Sequence, residues 1–233
     1  IIHETYYSFH GAAPKHSRVV ITVHDMIHEL FPESFSLWDK TSSEKAAAAR
    51  RADHIICVSE NTRKDLIRLL DIDPVKTSVV YHGFELLAPP SGGRHVKSPY
   101  ILYVGSRSGY KNFVMLLKAF ASLPFLMADF ELVAFGGGAF RADEQSLIHE
   151  LGGGKIIARQ ISGDDELLAD LYAGASAFVY PSVYEGFGIP PLEAMSCGKA
   201  VISGDRSAMP EVVGTEDGRF GSSFKSSTHD MNS

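Results

Sequence analysis

Two carboxylates in one short segment are the side chains of this chain best placed to do chemistry. Within residues 175–198, ASAFVYPSVYEGFGIPPLEAMSCG, Glu185 precedes Gly186, Phe187 and Gly188, and Glu193 follows eight positions after Glu185. The pattern predicts a strand running into Tyr180, a loop carrying Glu185, and a helix whose first turn is pre-set by Pro190 and Pro191 and which Gly198 closes. Both carboxylates then lie at the carboxyl end of a strand and near a helix amino terminus, where ligands bind in open α/β sheets. The N–H groups of a first turn suit an anion, and glutamates accept hydrogen bonds from hydroxyls. A ligand with phosphates and vicinal hydroxyls, such as a nucleotide-sugar, meets both demands. Taken singly, Glu193 would only complement the helix dipole and Glu185 would be a solvated loop charge. The two-glycine loop, the paired prolines and the spacing argue for a joint role.

A second constellation is cationic. Gly105-Ser106-Arg107-Ser108-Gly109-Tyr110-Lys111 follows a predicted strand, and Asn112 stands where a cap for the next helix is expected. Backbone donors, a helix dipole and two cations converging on one loop suit a diphosphate. The spacing is not that of a Walker loop, because Asn112 stands where Ser or Thr would hold magnesium. A solvent-facing basic turn is the plain alternative.

These residues need a scaffold, and the apolar pattern supplies one. Strands are expected at 19–23, 54–58, 78–81, 100–104, 130–135, 155–158, 175–180 and 200–203, several of them continuous apolar runs of the kind buried on both faces of a parallel sheet. Helices are expected at 43–52, 61–70, 112–123, 143–151, 165–173 and 191–197. Phe113, Leu116, Leu117 and Phe120 fall on one helical face. Strands alternating with helices imply right-handed crossovers and doubly wound parallel sheets. The run GFELLAPPSGGRHVKSP breaks the rhythm, which divides the chain into a first domain at 1–85, a linker at 86–99, a second domain at 100–214 and a loose polar tail at 215–233.

Composition narrows the function. The chain of 233 residues is 45 % hydrophobic and 21 % charged, as for a well-cored globular protein. A net charge of −6 offers no basic field for nucleic acid or an anionic membrane, so bound phosphate must be held locally. Cys57 and Cys197 sit far apart in apolar runs and read as buried thiols of a reducing, cytoplasmic setting. No run of eighteen apolar residues is present, so no transmembrane segment is expected, which leaves peripheral membrane contact open. The chain opens on Ile1 without a signal-peptide pattern and reads as beginning inside a domain.

Other signals are weaker. His24-Asp25-Met26-Ile27-His28 resembles a zinc signature with Asp for Glu, but a strand before it and Pro32 after it leave no helix to align the two histidines, so no metal site is expected. His24 instead faces the cleft at a strand end or makes a structural polar contact. Asp71-Ile72-Asp73 before Pro74 reads as a turn, and Gly152–Gly154 as a helix stop. Gly136-Gly137-Gly138 after a strand permits either close approach by a ligand or a tight turn.

The segment from Glu185-Gly-Phe-Gly to Glu193-Ala-Met-Ser-Cys-Gly resembles the signature of the retaining group 1 glycosyltransferases, family 4, of the GT-B fold. Tyr103-Val-Gly-Ser-Arg-Ser-Gly-Tyr-Lys-Asn, Phe135-Gly-Gly-Gly, Pro210-Glu-Val-Val-Gly, His24-Asp25 and Cys57-Val-Ser-Glu-Asn-Thr extend the resemblance over about residues 1–214. The resemblance implies an α/β fold of two Rossmann-like, doubly wound parallel-sheet domains, GT-B-like and truncated. It implies transfer of a sugar, with retention, from a nucleoside diphosphate sugar to a carbohydrate or lipid-linked acceptor in polysaccharide or glycolipid assembly, mannosyl transfer included. Lys111 and Arg107 would neutralise the leaving diphosphate, although Arg107 stands one place beyond the commonest family position, held here by Ser106. Glu185 would orient the sugar, Glu193 would hold the ribose, and His24 would face the acceptor. Gly105, Ser106, Gly136, Gly137, Ser182, Gly186, Phe187 and Gly188 would line the donor site. No cofactor and no metal is implied, and a pyridoxal-phosphate lysine for a phosphorylase is unmarked. The family also implies a strand and glycine-rich loop ahead of Ile1 and further strands and helices after residue 214, so the chain is expected to be incomplete at both ends and to turn over poorly. The alternative is a nucleotide-sugar-binding fragment or subunit without catalysis.

Overall fold

The computed structural model describes residues 1–11, 13–84, 90–107, 109–214 and 222–224. They pack as two units. The first comprises Ile1–Gly83 together with Tyr184–Gly188 and Arg206–Glu211, and the second comprises the described residues of Phe84–Val183, Ile189–Asp205 and Val212–Ser233.

The first unit runs β1 (Ile2–Glu4), β2 (Val19–Val23), α1 (Ile27–Leu30), α2 (Thr41–Arg51), β3 (His54–Cys57), α3 (Glu60–Leu70) and β4 (Thr77–Val79), with its sheet in the order β1-β2-β3-β4. Each neighbouring pair is parallel, as crossover helices require. Ile21, Val23, Ile55 and Cys57 are wholly buried on alternate positions of the two central strands. Ser59 caps α3 by accepting from the Thr62 amide at 2.9 Å. The helix ends on Asp71 in the left-handed region, φ 53°, and Asp73 accepts from the Val75 amide at 3.0 Å, so Asp71-Ile-Asp73 forms the turn its sequence predicts.

The second unit runs β5 (Tyr100–Val104), α4 (Phe113–Ala121), α5 (Pro124–Asp129), β6 (Glu131–Phe135), α6 (Ala142–Gly152), β7 (Ala158–Ile161), α7 (Asp165–Gly174), β8 (Ala177–Tyr180), α8 (Ile189–Ser196), β9 (Val201–Gly204), α9 (Met209–Val213), which leads out of the first unit's 206–211 segment, and β10 (Ser222–Phe224). Its sheet is parallel throughout, in the order β10-β9-β8-β5-β6-β7. Phe113, Leu116, Leu117 and Phe120 of α4 pack on Ile101, Tyr103, Leu132, Ala134 and Val179, one face of β5, β6 and β8. Phe178, on the opposite face of β8 by strand alternation, meets Tyr172 of α7 edge-on at 5.4 Å. Both faces are therefore covered, as the apolar runs imply.

Four differences from the sequence reading have physical causes. The strand expected at 155–158 is β7 at Ala158–Ile161: β7 is an edge strand and includes Arg159 and Gln160, while the apolar Ile156 sits in the core just before it. The helix expected at 112–123 stops at Ala121, and Pro124 opens α5, because proline can start a helix but cannot continue one. The strands β1 and β10, three residues each, are too short to show a period. β10 falls within the tail expected to be loose, of which 215–221 and 225–233 lie outside the described residues, as do 85–89 of the linker.

The described part of the linker is fastened to α7. Ser91 Oγ donates to Asp170 Oδ2 at 2.6 Å, the Gly92 amide donates to Oδ1 at 3.1 Å, and His95 Nε2 lies 2.9 Å from Oδ2. The Ser91 hydroxyl and His95 hold the Asp170 carboxyl down at about 2. A depressed carboxylate stabilises the fold above its unfolded value and loses that contribution as the pH falls through its folded value. The clasp should thus persist from neutral pH down to about 3.8 and fail as the pH approaches about 2. Asp170→Ala is expected to speed limited proteolysis between residues 90 and 99 at pH 7, with cleavage mapped by mass spectrometry. An unchanged cleavage pattern would show that the clasp does not hold the segment.

Candidate functional site

The site begins with a topological constraint. From β5 the chain steps outward through β6 to β7, then returns to place β8 on the other side of β5 and continues to β9 and β10. Connections leave β5 and β8 in opposite directions, so a crevice opens at their carboxyl ends. The loops following these two strands are the cationic loop and the start of the glutamate loop. They are tied together: the Val183 amide donates to the Tyr110 carbonyl at 2.8 Å, and Asn112 Nδ2 donates to the Pro181 carbonyl at 3.2 Å. Asn112 occupies the cap position of α4 in the left-handed region, φ 59°, but its side chain makes no capping bond. The cap expected from sequence is thus replaced by a tether between loops.

Lys111 ends a single 3-10 turn at Gly109–Lys111, half-buried, with Nζ 5.3 Å from the Tyr110 ring centre and 5.7 Å from that of Tyr180. Aromatic faces at these distances stabilise an ammonium. Ser182, two positions after Tyr180, is 2 % exposed, and its Oγ is buried without a hydrogen-bond partner among the described residues.

Arg107, expected to neutralise the leaving diphosphate, is turned inward instead. Its side chain is 1 % exposed. Nε donates to Glu144 Oε1 at 3.0 Å, Nη1 to the Gly136 carbonyl at 2.9 Å, and Nη2 to the Gly138 and Ala139 carbonyls at 3.0 and 2.9 Å. The ring of Phe140 lies 4.8 Å from the guanidinium carbon. Burial is the strongest single influence on the Glu144 carboxyl and pushes it up, but Arg107 and the Arg141 amide together hold it below its ordinary value. Gly136, Gly137 and Gly138 all have positive φ, 80°, 68° and 72°, a conformation that glycine adopts without steric cost as the loop wraps around the guanidinium. Breaking such a buried pair on one side costs about 3–5 kcal/mol. Glu144 was not singled out by sequence; its one local signal is its place in the first turn of α6.

Glu193 is half-exposed on α8, where Tyr172 Oη donates to its Oε2 at 2.9 Å. Burial raises its carboxyl, opposed by the Tyr172 bond and reinforced by Asp165. The helix starts at Ile189, which moves Glu193 into the second turn, and Pro190 and Pro191 remove two of the four leading N–H groups. The helix terminus therefore offers an anion fewer donors than expected. Tyr172, on a different helix, left no signal in the sequence.

Glu185 and its neighbours pack with the first unit. Glu185 is 7 % exposed; Ser207 Oγ is 2.9 Å from its amide and donates to its carbonyl. Thr62 Oγ1 donates to the Gly186 carbonyl at 3.1 Å, and Glu211 accepts from the amides of Glu60 and Asn61 at 2.8 Å each, which satisfies the amino end of α3. Phe187 is buried and meets the His82 ring edge-on at 5.5 Å. His24 stacks on His82 at 5.6 Å, with Nε2 3.1 Å from the Thr5 carbonyl. Burial, and secondarily His24, push the His82 imidazole below its ordinary value. Among the described residues, no three His, Cys, Asp or Glu side chains gather as a metal-ion set, and no helix is long and apolar enough to cross a membrane.

Comparison with known proteins gives these loops a context. Residues 88–231 match the family model for glycosyl transferases group 1, and residues 1–86 match that for glycosyltransferase family 4. The O-antigen chain mannosyltransferase B of Escherichia coli is 32 % identical over 84 % of this chain and 55 % of its own length. The serotype-specific mannosyltransferase WbdA of Escherichia coli is 29 % identical over 87 % of this chain and 27 % of its own. Sucrose-phosphate synthase from Thermosynechococcus elongatus superposes with a TM-score of 0.68 at 26 % identity, covering 84 % of this chain and 52 % of that one. The chain thus spans between a quarter and about half of these relatives' lengths.

Gly186 gives a direct test of the glutamate loop. A carbon added to it would lie 1.8 Å from the His24 carbonyl oxygen, whereas one added to Gly204 would meet its nearest atom, the Ser182 carbonyl oxygen, at 3.6 Å. Gly186→Ala is expected to cost about 1–3 kcal/mol in thermal or denaturant unfolding, with Gly204→Ala far milder. Equal effects would mean that the 184–188 segment does not pack as described.

Proposed function

This chain belongs to the group 1 glycosyltransferases, and we propose that it carries the donor-binding part of a transferase that moves a hexosyl group, mannosyl in particular, from a nucleoside diphosphate sugar to an acceptor hydroxyl with retention. The observation that carries this reading is the joined pair of loops at the β5–β8 switch point, which brings Lys111 and Ser182 to one crevice edge, with Glu193 on the helix that follows. Lys111 stabilises the charge that develops on the departing diphosphate, the kind of contribution that dominates many enzymatic rate enhancements. Glu193, held by Tyr172, accepts from ribose hydroxyls. Glu185 orients the sugar and His24 faces the acceptor. Gly105, Ser106, Gly136 and Gly137 serve the donor in the second unit, and Gly186, Phe187 and Gly188 flank Glu185 in the first.

The matched relatives named as O-antigen and serotype-specific mannosyltransferases support a glycan or lipid-linked acceptor in cell-surface polysaccharide assembly. We assign the reaction to the cytoplasmic side, without a metal or organic cofactor, the ammonium of Lys111 serving where a divalent ion would otherwise stand.

Calorimetric titration with UDP, GDP and ADP, and with the matching nucleosides, tests the assignment. Lys111→Ala is expected to weaken diphosphate binding about tenfold or more while sparing the nucleosides, and Glu193→Ala to weaken both. Absence of binding to all three diphosphates, or equal loss of nucleoside binding in the lysine variant, overturns it. Binding without release of free nucleotide from the donor sugar, with acceptors supplied, would favour a binding module over an enzyme.

A further inference from the structure

Arg107 is a buried cation that the donor reading does not use directly, and its geometry gives it a task. Nη1 and Nη2 draw in the carbonyls of Gly136, Gly138 and Ala139 at 2.9 to 3.0 Å, with that of Gly137 at 3.4 Å from Nη2. The described peptides are all trans. In a planar trans peptide the carbonyl and the next residue's N–H point in opposite directions. Carbonyls turned inward at 136, 138 and 139 therefore turn the N–H groups of Gly137, Ala139 and Phe140 away from the guanidinium. A run of N–H groups in a left-handed turn forms a concave anion site. This one lies at the carboxyl end of β6, beside the loop of Lys111 on β5. The nearby carboxylates of α6 are paired: Glu144 with Arg107, and Asp143 with Arg141 at 3.1 Å.

We propose that Arg107 is a positioning residue for phosphate recognition: by gripping the carbonyls of 136–139 it presents the opposite N–H groups to a diphosphate whose charge is met by Lys111. The inference rests on the donor reading above for the identity of the ligand. It assigns Arg107 a fixed-frame role in place of direct contact with the departing group. A lysine keeps the positive charge but cannot fork between Glu144 and several carbonyls. The same grip requires glycine at 137, where an added carbon would lie 2.8 Å from Nη1 and 2.9 Å from the Gly105 carbonyl oxygen. At 138 an added carbon would meet nothing within 4 Å. Both positions have φ near 70°, so both substitutions carry similar backbone strain and only one displaces the guanidinium.

The test uses the whole chain titrated with UDP, GDP and ADP, the corresponding nucleosides and inorganic pyrophosphate. Arg107→Lys and Gly137→Ala are expected to weaken diphosphate and pyrophosphate binding about tenfold, while nucleoside affinity changes by less than about twofold. Gly138→Ala should retain most of the diphosphate affinity. If Arg107→Lys does not fold, the contrast between the two glycine variants, with circular dichroism confirming their structure, carries the test. Diphosphate affinity unchanged in Arg107→Lys and Gly137→Ala overturns the proposal, because charge alone would then suffice. So do parallel losses of nucleoside and diphosphate, the mark of general unfolding, and a wild-type chain that binds neither anion. Pyrophosphate binding that follows the expected order without nucleoside diphosphate binding would leave the positioning role standing and remove the donor reading. Nucleoside diphosphate binding unaffected by these variants would do the reverse.

Discussion

A parallel sheet leaves an unobstructed strand end only where its connections diverge, and in the second unit that happens between β5 and β8. The connections after β6 and β9 continue outward in the direction already taken. The loops after β5 and β8 must therefore share an edge, and the Tyr110–Val183 and Asn112–Pro181 bonds make that edge one structure. The chemistry of the second unit is arranged around this divergence. Lys111 and Ser182 lie on the joined loops and Glu193 on the helix that follows them.

The cations of one short loop take opposite fates for reasons of geometry. Arg107 lies where the glycine turn after β6 wraps inward, and burial is tolerable because Glu144 and several carbonyls replace its water. Lys111 lies one 3-10 turn later, half-buried, with its ammonium near the rings of Tyr110 and Tyr180. In a chain of net charge −6, anion recognition has to come from such local arrangements rather than from a long-range field.

The two glutamates show a similar division of labour. The two prolines that start α8 fix its first turn and remove donors from it, so the helix serves chiefly to hold Glu193 against Tyr172. Gly186, by contrast, is demanded by space alone: no side chain fits between it and the His24 carbonyl. The two glutamates that look alike in sequence are thus held by different surroundings, one by a phenol on a helix and one by a loop packed with the first unit.

Local patterns were enough to determine the class of fold. Continuous apolar strands such as 100–104, the helical face of Phe113, Leu116, Leu117 and Phe120, and the turn at Asp71–Asp73 follow from period, burial and turn chemistry that a few neighbouring residues specify. The placing of Lys111 and Glu185 after strands, and of Glu193 on the helix that follows, was legible for the same reason. Edge strands were not: β7 is polar and β1 and β10 are three residues long, because strands with an open side need no strong apolar run. Nor could spacing reveal that Arg107 is buried against Glu144, that Tyr172 holds Glu193, or that Asn112 ties two loops instead of capping a helix. Those partners are separated by 37, 21 and 69 positions. A residue's type sets what it can bond, but only the crossing of the strands decides which distant group comes within reach.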